Sequence, residues 1–189
     1  MVHVYFYGED MLYKSRKILL YFSFIIIVVS LGLVIPERLV NPVKGATSRD
    51  WNHQTFWYSP WGASGVHKGI DIFGKRFQQV IAPVSGIVVF SGELKRGGHA
   101  VAILGPKWRI HYMAHLQYRD AKVGDWVSVG DEIGGIGDTG NAKGKQPHVH
   151  YSIMTLVPYL WRIDFSEQGF KKAFYLSPHD KLISIPSFG

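Results

Sequence analysis

The chain has 189 residues, no cysteine and a formal net charge of +7 at pH 7. That length fits one domain plus a tail, and the lack of cysteine excludes both a disulfide framework and a thiolate zinc site. Beyond residues 1–39, which hold four basic and three acidic residues, no Lys/Arg cluster is longer than a pair such as Lys171-Lys172; this argues against a nucleic-acid partner and suits either simple solubility or an anionic polymer.

Ile18 to Ile35 form an uncharged run of eighteen residues. As a helix it is about 27 Å long, close to the ~30 Å hydrocarbon core of a bilayer. Lys14, Arg16 and Lys17 precede it and favour a cytoplasmic N-terminal segment, residues 1–17. No small-x-small cleavage site follows; Pro36-Glu37-Arg38 comes instead. Residues 18–35 are therefore expected to be a retained signal anchor, with a cleaved signal as the alternative.

Residues 36–64 read as a linker that leads into an aromatic cluster of Trp51, Phe56, Trp57, Tyr58 and Trp61. Such a cluster suits a substrate groove, a lid over a neighbouring site, or plain packing. From residue 65 to 178 short apolar stretches alternate with turn residues. Gln79–Phe90 holds two apolar runs broken at Pro83 and Gly86; Ala100–Leu104 follows the Gly97-Gly98 turn; Arg109–His115 alternates; Val123–Val127 and Val129–Ile133 repeat a Val-Gly-Asp unit. No amphipathic helix interrupts residues 67–155. The expected fold is all-β dominated, an antiparallel sheet closed as a sandwich or small barrel, behind one N-terminal transmembrane helix. The aromatic stretch after Leu156 is expected to pack on the sheet, and residues 179–189 to form a tail with His179 on the surface.

Two segments carry metal-ligand chemistry. His148-Val149-His150 falls in an expected strand, where residues i and i+2 share a face, so both imidazoles project together roughly 6.5–7 Å apart at Cα. His67 and Asp71 are four residues apart, but Gly69 disfavours a helix there; a bent loop-to-strand segment brings them together instead. Imidazole and carboxylate suit zinc, and three such ligands with a fourth position left for water describe a catalytic zinc. Alternation puts His111, Met113 and His115 on one face, and spacing does not say which histidine is functional.

Taken in order, His67-x-Gly69-x-Asp71, Ala82-Pro83-x-x-Gly86, Tyr112-Met113-Ala114-His115-Leu116, the Val123–Val127 unit with Gly130, Ile133-Gly134-x-x-Gly137-x-Thr139-Gly140 and Pro147-His148-Val149-His150 resemble the lysostaphin-type (LytM-type) zinc peptidases across residues 65–155. The resemblance implies one zinc (Zn2+) per chain on His67, Asp71 and His150, a zinc-activated water, and His115 and His148 beside it as catalytic groups. It implies hydrolysis of peptide bonds in peptidoglycan stems or cross-links. Combined with residues 18–35, it implies a single-pass protein of the bacterial cytoplasmic (inner) membrane with its catalytic domain outside. No H-E-x-x-H motif supplies a Glu base, so His115 and His148 are the groups available to move a proton. The chain departs from the family pattern at Asn141–Gln146, a basic and slightly longer loop, which leaves substrate preference open. The alternatives are a non-catalytic binding or activator module of the same fold, and a biotinyl/lipoyl-like barrel adaptor of an export pump. Oligomeric state is not legible.

Overall fold

The computed structural model describes residues 3–184, with side chains from Tyr13 onward. They fall into two compact units that divide at Ile35 and Pro36. The first is a single helix, α1 (His3–Val34). Its stretch Tyr13–Val34, 22 residues, is long and apolar enough to cross a membrane. The helix starts well before the uncharged run because Lys14, Arg16 and Lys17 are good helix formers. It stops at Val34 because the proline at 36 disfavours helical geometry in the residue before it.

The second unit is built on nine strands among the described residues: β1 (Ile70–Phe73), β2 (Gln79–Ile81), β3 (Gly86–Leu94), β4 (Gly98–Gly105), β5 (Arg109–Arg119), β6 (Trp126–Val127), β7 (Glu132–Ile136), β8 (His148–Thr155) and β9 (Tyr175–Leu176). All pair antiparallel; six follow the path β1-β8-β5-β4-β3-β6, while β2, β7 and β9 lie off it, β9 pairing with β8. The long strand β5 serves two layers. Its first half lies between β4 and β8; from Leu116, which still pairs with His99 of β4, its end turns from β8 to β7, which also carries β2.

Alternation decides what each strand buries. Ile70 and Ile72 of β1, Met113 of β5, and Val149, Tyr151 and Ile153 of β8 point into one core. Their neighbours Asp71, Phe73, Tyr112, Ala114, His148, His150 and Ser152 share the opposite face. The functional face of β1, β8 and β5 is thus fixed by the same period of two that fills the core.

The expected linker is part of this unit. Leu39, Val43 and Trp51 belong to the core, and Val43 bridges to Val80. The C-terminal end is also tied down, although the aromatic stretch expected to pack on the sheet leaves Trp161, Phe165, Phe170 and Phe174 exposed. Ser177 caps α2 (Pro178–Ile183), which buries Leu182. His179, expected at the surface, is half-buried because its Nδ1 accepts from the Trp51 indole at 3.1 Å.

A buried polar network fastens the start of the unit to its centre. Glu37 pairs with Arg109, and its other oxygen is 3.4 Å from His111 Nε2. His111 Nδ1 is 2.7 Å from the Tyr151 hydroxyl, and Arg109 donates to Tyr159 at 3.2 Å. Burial alone would raise the Glu37 pKa; His111 and Arg109 outweigh it and hold the carboxyl below its ordinary 4.5. A carboxylate depressed on folding contributes stability that is complete above 4.5 and fades as pH falls through the folded value. Glu37→Ala strands the Arg109 charge and is expected to cost about 3–5 kcal/mol. Urea unfolding at pH 7 followed by tryptophan fluorescence measures it; an unchanged midpoint would show that the network carries no stability.

Candidate metal centre

His67 sits in the turn that enters β1. Its backbone is held as though in a strand, with Trp57 N–H donating to His67 O at 2.7 Å and His67 N–H to Tyr58 O at 3.0 Å. Asp71 follows on β1, directly opposite His150 on β8 in the antiparallel register. The turn needs Gly69, since a Cβ there would lie 2.3 Å from Tyr151 O and 2.9 Å from His150 Cε1. Three atoms converge: His67 Nε2 to His150 Nδ1 is 3.0 Å, His67 Nε2 to Asp71 Oδ1 is 3.2 Å, and His150 Nδ1 to Asp71 Oδ1 is 2.9 Å.

The outer partners of these rings decide what the converging atoms are. His67 Nδ1 lies 3.1 Å from Thr55 O. A carbonyl only accepts, so Nδ1 carries the proton and Nε2 turns a lone pair inward. His150 Nε2 lies 3.0 Å from Ser152 Oγ, whose single proton goes to Lys68 O at 2.8 Å. The serine oxygen must accept, so His150 carries its proton on Nε2 and presents Nδ1 as a lone pair. Two lone pairs and a carboxylate oxygen meeting at ~3 Å repel one another unless a cation lies between them. Among the described residues His67, Asp71 and His150 form a group able to hold a metal ion, and two imidazoles with a carboxylate suit zinc. Burial would raise the Asp71 pKa, but contacts with His150 and His67 outweigh it and hold the carboxyl well below the usual carboxylate range. Burial lowers that of His150 despite Asp71. Both groups therefore reach neutral pH in ligand form.

Ser152→Ala removes the acceptor that fixes the His150 tautomer. It is expected to weaken zinc affinity about 10–100-fold without unfolding the sheet. Competition against a chromophoric chelator reads this, and unchanged affinity would remove Ser152 from the site.

His115 reaches the same face by a route that alternation does not foresee. Between the pairs His99↔Leu116 and Val101↔Met113, Ala114 and His115 together oppose Ala100 alone, a β-bulge. His115 sits at φ 65°, a left-handed conformation that is costly for a residue with a Cβ. It is kept there by His115 N–H donating to Gly97 O at 2.8 Å and by Nδ1 at 2.9 Å from Thr139 O. The bulge turns His115 away from His111 and Met113 and into the cleft. His148 is oriented likewise, with Nδ1 2.8 Å from Gln146 O. Both rings thus offer Nε2 to the cleft, with ring centroids 5.0 Å apart. Burial, then the neighbouring His148 and His150, pushes His115 down to about 4, so it is neutral at physiological pH.

The cleft around these groups encloses about 720 Å³. Trp61 forms one wall, its ring stacked on His67 with centroids 4.0 Å apart. The aromatic cluster therefore divides: Trp51 is core, while Trp61 lines the site. Because Thr55 O also holds His67, this segment supports the centre as well as bordering it. All five expected site residues border the cleft, whereas His111 lies in the Glu37 network on the other face. Ser152 and Arg96 join them at the cleft, and Thr55 behind His67, with no motif to announce them; Tyr112, from the motif at residues 112–116, lines it as well.

Residues 65–160 match peptidase family M23. Lysostaphin of Staphylococcus staphylolyticus is 35% identical over 92 residues, covering 48% of this chain and 19% of lysostaphin. Peptidoglycan DD-endopeptidase ShyC of Vibrio cholerae is 32% identical over 93 residues, covering 49% of this chain and 21% of ShyC. The chain thus matches about a fifth of the length of these curated relatives. The solved catalytic domain of the antimicrobial peptidase lysostaphin from Staphylococcus simulans superposes with a TM-score of 0.54 at 29% identity, over 67% of this chain and 86% of that domain.

Proposed function

The chain belongs to peptidase family M23, and from that premise we propose that it is a membrane-anchored zinc endopeptidase that cuts peptide bonds in peptidoglycan. One observation carries the proposal: His67 Nε2, His150 Nδ1 and Asp71 Oδ1 converge as electron-pair donors, each ring's proton committed to an outside partner. The substrate class follows the relatives, one of which is a peptidoglycan DD-endopeptidase. The anchor rests on Tyr13–Val34, with Lys14, Arg16 and Lys17 favouring a cytoplasmic start and an extracytoplasmic peptidase domain.

His67, Asp71 and His150 would hold the zinc, which would supply Lewis acidity toward the scissile carbonyl and toward water. The chain supplies the rest. His115, neutral and with Nε2 facing the cleft, is fit to take a proton from the attacking water and return it to the leaving amine. His148, beside it, turns the same kind of Nε2 lone pair to the cleft; it is placed to share the proton and, once protonated there, to donate to the developing oxyanion. Trp61 and Tyr112 bound the space in which the peptide lies.

Purified peptidoglycan incubated with the detergent-solubilised chain and zinc is expected to release peptide fragments identifiable by mass, and a chelator is expected to stop the release. Intact peptidoglycan after incubation with protein carrying one zinc per chain would sink the endopeptidase reading in favour of a non-catalytic module.

A further inference from the structure

We propose that the cleft selects a peptide with a free carboxylate beside the scissile bond, read chiefly by Arg96 and Lys145; this rests on the peptidase reading above. The charged side chains bordering the cleft are Lys68, Arg96, Lys145 and Asp71, and the single acid is engaged with His67 and His150. Elsewhere in the domain Arg76 meets Asp138, Arg109 meets Glu37 and Lys172 meets Asp164, while most other lysines and arginines among the described residues lie on the surface outside any ion pair; what sets the cleft cations apart is their place beside the metal-ligand cluster. Among the described residues none of the three cleft cations forms an ion pair. Lys68 donates to Ser64 O at 3.4 Å and Val66 O at 3.3 Å with Glu167 attracting it from outside ion-pair distance, and Arg96 donates to Ala63 O at 3.1 Å.

Their placement borders the chemistry. Asn141 N–H donates to Arg96 O at 2.9 Å, which fastens Arg96 to the basic loop that carries Lys145. The same turn holds His115 through Gly97 O, so the Arg96 backbone stands beside a catalytic histidine, while its guanidinium reaches Ala63 O, next to the Ser64 O that takes the Lys68 ammonium. A cleft lined by one sign of charge concentrates the opposite sign. A guanidinium with N–H groups to spare matches the two oxygens of a carboxylate. A neutral peptide, such as a glycyl bridge, leaves these cations in water and gains nothing from them. The loop Asn141–Gln146, where this chain departs from the pattern of its family, thus becomes a specificity element.

The test uses the zinc-loaded full chain in detergent and a cross-linked stem peptide prepared from peptidoglycan. The peptide is offered native, with its side-chain carboxylates amidated, or with only its C-terminal carboxylate amidated; the last two forms separate the two sources of charge. Amidating the recognised carboxylate is expected to lower kcat/KM about tenfold. Arg96→Gln and Lys145→Gln are each expected to shrink the native-to-amidated ratio, and together to bring it near 1. Binding of the same peptides to zinc-loaded His115→Ala, read by calorimetry, is expected to weaken by a similar factor on amidation. Equal kcat/KM for native and amidated peptides would overturn the carboxylate preference and leave the peptidase reading standing. A ratio unchanged in the double variant would overturn the assignment to Arg96 and Lys145. No hydrolysis of any form by zinc-bound protein would overturn the peptidase reading and this inference with it.

Discussion

His67→Ala is expected to purify without stoichiometric zinc and to lose peptide hydrolysis by about 10³-fold or more. The arithmetic is that Lewis-acid stabilisation of the transition state is worth several kcal/mol, and each ~1.4 kcal/mol is a factor of ten. The structural case is the count of electron pairs. With His67 gone, His150 Nδ1 and Asp71 Oδ1 remain 2.9 Å apart, and one proton on the ring satisfies both without a metal. The variant also removes the ring on which Trp61 stacks, so a fall in stability is expected alongside. His67→Gln separates the effects, keeping volume at a buried position while losing the imidazole lone pair. Metal content by emission spectrometry, paired with hydrolysis of purified peptidoglycan, decides the matter. Stoichiometric zinc in His67→Gln would remove His67 from the ligand set.

The two ligand-bearing segments were legible in the sequence from residue type and short spacing, whereas the choice of His150 over His148 came with the resemblance and the pairing of β1 with β8 spans a long stretch of chain. His150 and Asp71 face one another through a strand period of two and an antiparallel register, and His67 needs only the bend that Gly69 allows. His115 was legible only by resemblance. Alternation places it with His111 and Met113 in the core, and the bulge that moves it has no composition signal, because a non-glycine residue occupies the left-handed position. The groups that orient the rings were illegible for another reason. Thr55 and Gln146 act through backbone carbonyls, which no residue type encodes, and Ser152 acts through a chain that ends on Lys68 O. The Glu37 network was hidden as well, because residues 36–64 are polar enough to read as linker while Leu39, Val43 and Trp51 complete a core built from distant strands.

His115→Ala is expected to do the opposite of His67→Ala: to keep its zinc and still lose hydrolysis, by about 10²–10⁴-fold, the usual worth of a positioned acid-base group. The His115 ring is not among the three converging donors; its Nδ1 proton is spent on Thr139 O and its Nε2 faces the cleft. His115→Gln is the stricter variant, since its amide can still donate to Thr139 O but cannot take up a proton. If both variants lose the same factor, proton transfer is the role; if the glutamine restores most of the rate, His115 serves only to position. The pKa makes a separate demand. Burial disfavours the charged ring, so in the metal-free protein His115 is expected to titrate near 4, against 6.5 for a free imidazole. Between those values the unfolded chain binds the proton and the folded chain does not, so this residue's contribution to stability is complete above 6.5 and declines as pH falls toward 4. An NMR titration of the ring protons gives the value directly. A midpoint at 6.5 would mean that water reaches the ring freely, and a base so solvated would be partly protonated at the pH where it must accept a proton. The buried, neutral ring that the β-bulge turns into the cleft avoids that loss, which is a physical reason for the domain to hold a histidine in so strained a conformation.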